Sequence, residues 1–263
     1  LGKRRRRLDS IQVSIDGSSS AIHDLSRPPA SFERALRGLR LLKANDLPVT
    51  ARVTINRHNV HDLPNIARLL LDDIGLRSFS TNSADLFGSA RCRGQNVLLS
   101  PEEWRIAVRT TAELARNYPG RITAAAGPLS FAEDAARIES ALASGAAGLP
   151  GRGTLSACGG VFSKMAILHN GAIVPCNMLS TMVMGKIGFS PLDDVWLNGK
   201  EINILRERYE TPITSIAGCS DCRYAGFCTG GCPAVVYGLY GRLDAIDPGN
   251  CYKKYREESH VPL

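Results

Sequence analysis

The chain has 263 residues, 44% of them hydrophobic, and a formal net charge of +7. That length suits one large domain or two smaller ones, and that apolar share excludes a globally disordered chain. No apolar run approaches the roughly 18 residues needed to cross a bilayer, and no apolar run follows the basic cluster in the opening LGKRRRRLDS, so neither a membrane span nor a secretory signal is expected. Residues 1–153 hold 22 Lys/Arg against 15 Asp/Glu, which is the whole of the excess. The Lys3–Arg7 run reads as a solvated helix end rather than a nucleic-acid arm, because no aromatic residues interleave with it to stack on bases. The chain opens on Leu rather than Met, and we expect a segment upstream of it.

Ser10–Gly17 predicts a strand ending in a turn, and Ser31 opens an amphipathic helix in which Phe32, Leu36, Leu39 and Leu42 recur at helical spacing. Val49–Asn56 predicts a second strand, Leu63–Asp73 a helix closed near Gly75, and Leu76–Asn82 a third strand. Alternation of this βαβαβ kind predicts parallel strands. Residues two apart share a strand face. Gln12, Ser14 and Asp16 fall on one face and Val13 and Ile15 on the other; Arg52, Thr54 and Asn56 face away from Val53 and Ile55. The apolar face is expected to meet the helices and the polar face to line a wet cavity, although an open sandwich with one solvated face would alternate in the same way. Ser100-Pro101-Glu102-Glu103 predicts a capped helix to about Asn117, and Ser130–Glu133 a second capping box opening a helix to about Ser144. The glycine-rich stretch Gly145–Gly153 is the expected domain boundary, giving domains 1–145 and 146–263. Beyond it, His169-Asn170-Gly171 predicts a β-hairpin, Ser190-Pro191 a short helix containing Trp196, and Cys219 onward a loop-rich end.

Seven of the eight cysteines lie in that second part. Cys158 and Cys176 flank Gly171; Cys219, Cys222, Cys228 and Cys232 follow at steps of three, six and four, and Cys251 comes last. A Cys-xx-Cys step points two thiolates at one centre. Gly226, Gly230 and Gly231 let the backbone fold close to it, and Phe227, Val235 and Val236 are candidates to shield it. Thiolates suit iron–sulfur clusters or zinc. Only Cys219/Cys222 form a Cys-xx-Cys pair, and seven cysteines exceed one four-thiolate zinc site. An odd count argues against a disulfide framework, and the absence of a visible secretory signal points to the cytoplasm. His58 and His61 read as a solvated loop and Cys92 as a free thiol.

The pattern Cys158–Cys251 resembles the SPASM domain, the C-terminal extension of many radical S-adenosylmethionine (radical SAM) enzymes. Upstream, VSIDG at Val13–Gly17 with His23, Asp24 and Arg27 resembles the fourth strand and following loop of the radical SAM barrel. VTINRHN at Val53–Asn59 resembles the fifth strand, and Phe87-Gly88-Ser89-Ala90 the exit of the sixth. The resemblance implies an α/β fold: the C-terminal half of a partial (β/α)6 barrel, followed by a small cysteine domain with a β-hairpin. It implies two auxiliary 4Fe-4S clusters, one on Cys158, Cys176 and Cys232, the other on Cys219, Cys222, Cys228 and Cys251. Some members have a further cysteine six residues before the first; here Arg152 stands there. Ser14, Asp16, Arg52, Thr54 and Asn56 are the implied contacts to S-adenosylmethionine, with Ser14 at its amino-acid part and Arg52 suited to its carboxylate.

No Cys-xxx-Cys-xx-Cys occurs in the chain. The resemblance therefore implies that this motif, its third 4Fe-4S cluster and the rest of the barrel lie upstream, and that the chain alone is inactive. The expected activity of the longer protein is radical modification of a peptide or protein substrate. It would be served by a flavodoxin- or ferredoxin-like electron donor, with no nucleic acid or membrane partner. A non-catalytic iron–sulfur electron-transfer or peptide-binding module, and a zinc-stabilised interaction domain, are the alternatives.

Overall fold

The structure, a computed structural model, describes residues 10–85, 97–156 and 162–257. The chain divides into two compact units, residues 1–136 and the remainder from Arg137. Among the described residues no helix is long and apolar enough to cross a membrane.

The first unit is a parallel sheet with helices between its strands. β1 (Ile11–Ser14), β2 (Val49–Ile55), β3 (Phe79–Ser83) and β4 (Ile122–Ala124) lie side by side in chain order. Every pairing is parallel, as the βαβαβ alternation predicts. The fourth strand is an addition to the three expected: Ile-Thr-Ala is too short to show a period. The connections are α1 (Ser20–Ser26) and α2 (Ser31–Ala44), α3 (Leu63–Arg68) continuing through a π turn at Leu69–Asp73, and α4 (Pro101–Asn117). Register places Val13, Ala51, Phe79 and Ile122 in one row across the sheet. With Ile15, Val53 and Ile55 they form the sheet's side of the core, against Phe32, Leu36 and Leu39 of α2, Leu63 and Ile66 of α3 and Leu114 of α4. Leu42, expected on the same helical stripe, is only half-buried.

α4 begins as its sequence dictates. The Ser100 hydroxyl accepts from the Glu103 amide (3.2 Å) and the Glu103 carboxylate accepts from the Ser100 amide (2.6 Å), with proline at the first helical position. The next helix differs from expectation. α5 runs Pro128–Ala143, so it opens at Pro128 and Ser130 falls inside its first turn. Proline's fixed φ suits a first helical position, and Gly127 at φ +85° turns the chain into it.

In the second unit, β5 (Ala166–Ile167), β6 (Ala172–Val174) and β7 (Gly185–Lys186) make a small antiparallel sheet. Its first hairpin turns at Asn170-Gly171, with Gly171 at φ +81°. α6 (Leu192–Asn198) and α7 (Lys200–Glu207) follow. Ser190 does not cap α6, because its hydroxyl instead accepts from the Lys186 amide at 3.2 Å. The cysteine-rich end carries short 3-10 turns and two short helices, α8 (Pro233–Tyr240) and α9 (Tyr252–Glu257). Its apolar centre is Leu155, Ile213, Ile216, Cys219 and Ala225.

Candidate functional site

The sheet's other face is polar. Ser14, Arg52, Ser80 and Thr123 stand in one row, and Thr54 and Asn82 in the next. Among the described residues Arg52 Nε, Ser80 Oγ and Asn82 Oδ1 are buried on this face without a hydrogen-bond partner, and Thr81 Oγ1 is so on the opposite face. A buried polar atom left unpaired costs about 1–3 kcal/mol, so three on one face mark a surface shaped for something polar. Ser14 and Thr54 are half-buried beside them. The arrangement suits a ligand rich in donors and acceptors, and an amino-acid or nucleoside group meets that description.

At the C-terminal ends of β1 and β2 the polar residues hold the loops together. Asp16 is almost fully buried. Its carboxylate accepts from the Thr54 amide (2.7 Å) and from Arg27 Nε (2.5 Å), while its amide donates to His23 Nδ1 (3.0 Å). Asn59, fully buried, donates to the Asp16 and Thr54 carbonyls and accepts from the Asn56 amide. Asn56 spends its own side chain on the Thr54 carbonyl and the His58 amide. Asp62 accepts from the amide and hydroxyl of Ser18. Gly17 allows this closeness: a Cβ there would lie 2.4 Å from the His23 nitrogen. Of the five residues implied as cofactor contacts, Asp16 and Asn56 thus brace the strand ends through their side chains. Ser14, Arg52 and Thr54 stand on the polar face. His23, Arg27, Asn59 and Asp62 complete the brace. His23, Asp24 and Arg27 belonged to a recognisable stretch without assigned roles; Asn59 and Asp62 carried no local signal.

The six described cysteines, Cys176, Cys219, Cys222, Cys228, Cys232 and Cys251, are all free thiols. Successive tight turns hold three of them, Cys219, Cys222 and Cys228, in one short stretch. The Cys219 carbonyl accepts from the Cys222 amide, the Cys222 carbonyl from the Ala225 amide, and the Ala225 carbonyl from the Cys228 amide. Cys251 leads into α9. Burial pushes the Cys219 thiol up, and the charges of Cys222 and Cys251 push it further. Burial likewise raises Cys228, with Cys251, Cys219 and Cys222 adding to the effect. Cys219 and Cys228 are thus held towards the neutral thiol, and a concentrated positive charge beside them would favour the thiolate. The Gly230 amide donates to Cys228 Sγ at 3.3 Å, the kind of N–H···S bond that tunes iron–sulfur clusters. Of the residues expected to shield the site, Phe227 and Val236 are buried and Val235 is half-buried.

Cys176 and Cys232 lie on other segments of the chain, before the 3-10 turn at Asn177–Leu179 and before α8. Cys176 is half-buried and accepts from the Met178 amide at 3.4 Å, and Cys232 is exposed at the start of α8. Cys158, Cys92, the Phe87–Ala90 stretch and the Lys3–Arg7 run lie outside the described residues. Among the described residues no group of three or more His, Cys, Asp and Glu side chains is placed to hold a single metal ion.

Comparison with known proteins agrees with this chemistry. Residues 158–223 match the SPASM family, an iron–sulfur cluster-binding domain. The chain is 25% identical over 256 residues to an AdoMet-dependent heme synthase of Nitratidesulfovibrio vulgaris, covering 93% of this chain and 65% of that protein. It is 24% identical over 247 residues to a PqqA peptide cyclase of Ruegeria pomeroyi, covering 92% of this chain and 60% of that protein. The chain thus spans under two thirds of the length of either. Among solved structures it resembles native anSMEcpe with bound AdoMet and the Kp18Cys peptide, at a TM-score of 0.63 and 14% identity, over 94% of this chain and 66% of that one.

Proposed function

The chain carries a SPASM iron–sulfur domain on the fold of the radical SAM/SPASM enzymes, and from that premise we propose that it is the C-terminal, cofactor-holding portion of an enzyme that modifies a peptide or protein. The observation that carries this reading is the match of residues 158–223 to an iron–sulfur cluster-binding domain, together with the successive tight turns that hold Cys219, Cys222 and Cys228 in one short stretch. The unpaired polar atoms on the sheet add support for a bound nucleoside-type cofactor. A peptide substrate is supported by the PqqA peptide cyclase relationship and by the peptide in the structural neighbour.

S-adenosylmethionine with a reducing 4Fe-4S cluster, which a Cys-xxx-Cys-xx-Cys segment would hold, would supply radical hydrogen-abstraction chemistry. The residues of this chain do the rest. Ser14 and Thr54 offer hydroxyls to the cofactor's polar groups, and Arg52 offers a guanidinium to its carboxylate. Asp16 and Asn56 fix the strand ends that present them. Cys219, Cys222, Cys228 and Cys251 hold one auxiliary 4Fe-4S cluster. Cys158, Cys176 and Cys232 hold the other. With the clusters in place the domain would exchange electrons with a flavodoxin- or ferredoxin-like partner in the cytoplasm, or anchor the substrate.

Iron and acid-labile sulfide analysis after anaerobic reconstitution tests the cluster reading. Two four-iron clusters are expected, and Cys219→Ser with Cys222→Ser removes about half of the iron. Zinc in place of iron would end the reading. Equilibrium dialysis of S-adenosylmethionine against the holoprotein and its Arg52→Ala variant tests the cofactor face, with at least tenfold weaker binding expected in the variant.

A further inference from the structure

Two tyrosines are buried in the cysteine-rich end. Tyr224 lies between Cys222 and Cys228, and Tyr252 directly follows Cys251. They are 5% and 7% exposed. Their rings meet edge to face, with centroids 5.0 Å apart and planes at 85°, a favoured geometry for an aromatic pair. The Cys219–Cys228 stretch and the start of α9 are packed together through this contact. The two phenols have opposite neighbours. The Tyr252 hydroxyl donates to Glu139 Oε1 of α5. Arg256 Nη1 stands 3.3 Å from the same oxygen, and both side chains of that ion pair are 36% exposed. Arg223 lies over the Tyr224 ring, its Cζ 4.6 Å from the centroid, and its Nη2 donates to the Tyr224 hydroxyl.

Packing alone would be served by phenylalanine, so the Tyr252 hydroxyl needs a reason. A phenol gives up an electron readily only when its proton leaves with it, and the group that takes the proton must lie within hydrogen-bond reach. Tyr252 has such a group in the Glu139 carboxylate, which opens to water on its far side. Tyr224 has a cation against its ring and its hydroxyl instead, and a cation opposes the loss of an electron beside it. An oxidising equivalent that reaches the pair therefore comes to rest on Tyr252.

We propose that Tyr252, with Glu139 as its proton acceptor, is a redox-active tyrosine that drains oxidising equivalents from the neighbouring cysteines. The oxidant is a thiyl radical, formed when a peroxide-derived radical takes a hydrogen atom from a thiol or an electron from a thiolate. The sulfur gains one electron and becomes a thiolate. The Tyr252 O–H bond breaks, its electron passing to the sulfur by way of Tyr224 and its proton to Glu139. The products are a thiolate, a neutral tyrosyl radical and a protonated carboxylate. A thiol in solution then returns the electron and the proton to Tyr252. Without this exit an oxidised cysteine climbs to sulfinic and sulfonic acids, which are not reversed by thiols. The relay needs only the sulfurs and the two rings, so it stands apart from the question of which metal the cysteines hold.

The test oxidises the protein, after anaerobic treatment with iron and sulfide, by one electron with flash-generated ruthenium(III) tris-bipyridine and freezes it for electron paramagnetic resonance. Iron uptake is measured separately and does not enter the outcome. Every sample carries Tyr118→Phe, because Tyr118 has a carboxylate acceptor of its own in Asp72, at 2.6 Å. A neutral tyrosyl signal is expected, narrowed by ring-deuterated tyrosine, and Tyr252→Phe removes most of it. Glu139→Gln still accepts from the phenol but takes no proton, and it slows radical formation roughly tenfold or more. In a second measurement, a dose of peroxide with ferrous iron is followed by peptide mass spectrometry. Tyr252→Phe there roughly doubles the sulfinic and sulfonic acid found at Cys219, Cys222 and Cys228. Where Tyr252→Phe does not fold, Glu139→Gln carries both measurements. A tyrosyl signal unaltered by Tyr252→Phe overturns the proposal. So does a Glu139→Gln protein that forms the radical at the parent rate, since the carboxylate is then only a tether for α9.

Discussion

His23 shows what a single buried side chain asks of its surroundings. Burial lowers its pKa from the ordinary value of 6.5, and the charges of Asp16 and Asp24 reverse that only in part. The Asp16 amide donates to Nδ1, a bond that only the neutral ring can accept. The unfolded chain therefore binds more protons than the folded one as pH falls below about 6.5, and the free energy of unfolding falls with it, by at most about 1.4 kcal/mol per pH unit. The loss levels off below the folded-state pKa. Urea titrations at pH 7.5 and 5.5 should show this decline, and His23→Gln, which keeps an acceptor but does not titrate, should flatten it. Next to it, Gly17→Ala forces a methyl group to within 2.4 Å of the His23 backbone. Overpacking of that kind costs about 1–3 kcal/mol, readable as a lower denaturation midpoint with an unchanged slope.

At the scale of elements, the start of α4 rests on its capping box. Ser100→Ala removes the hydroxyl that accepts from the Glu103 amide and should cost about 1 kcal/mol in urea denaturation. Ser130→Ala, inside the first turn of α5, should leave stability within about 0.5 kcal/mol. The pair separates a cap from a residue that only looks like one, and it shows where sequence reading succeeds. Alternation in Val13–Ile15 and Val53–Ile55 assigned both faces of the sheet, because a strand buried on one side has no freedom to mix them. Ser130 misled because the capping signal occurs by chance, and Pro128 with Gly127 overrode it. β4 was invisible because three residues cannot display a period. The pairing of Tyr252 with Glu139 was invisible for another reason: the two stand 113 residues apart in sequence, and no spacing rule reaches so far.

For the whole molecule, the two units draw stability from different sources. The first has a broad apolar core spanning strands and helices. The cysteine-rich end is built mainly of short turns, and one of its buried clusters includes Cys219 itself, so that a bound group there adds directly to its folding free energy. Removing iron with a chelator should therefore speed amide exchange across residues 213–257 by at least tenfold, and change it little in β1–β3, as mass spectrometry of exchanged peptides would show. The sulfurs also differ in their access to solvent: Cys232 is exposed, whereas Cys219 is 7% exposed. Oxidation follows thiolate access. A preparation left open on the bench should accordingly corrode in two waves, bleaching first on the Cys232 side and later on the Cys219 side, and the interval between them measures how well the protein keeps out air.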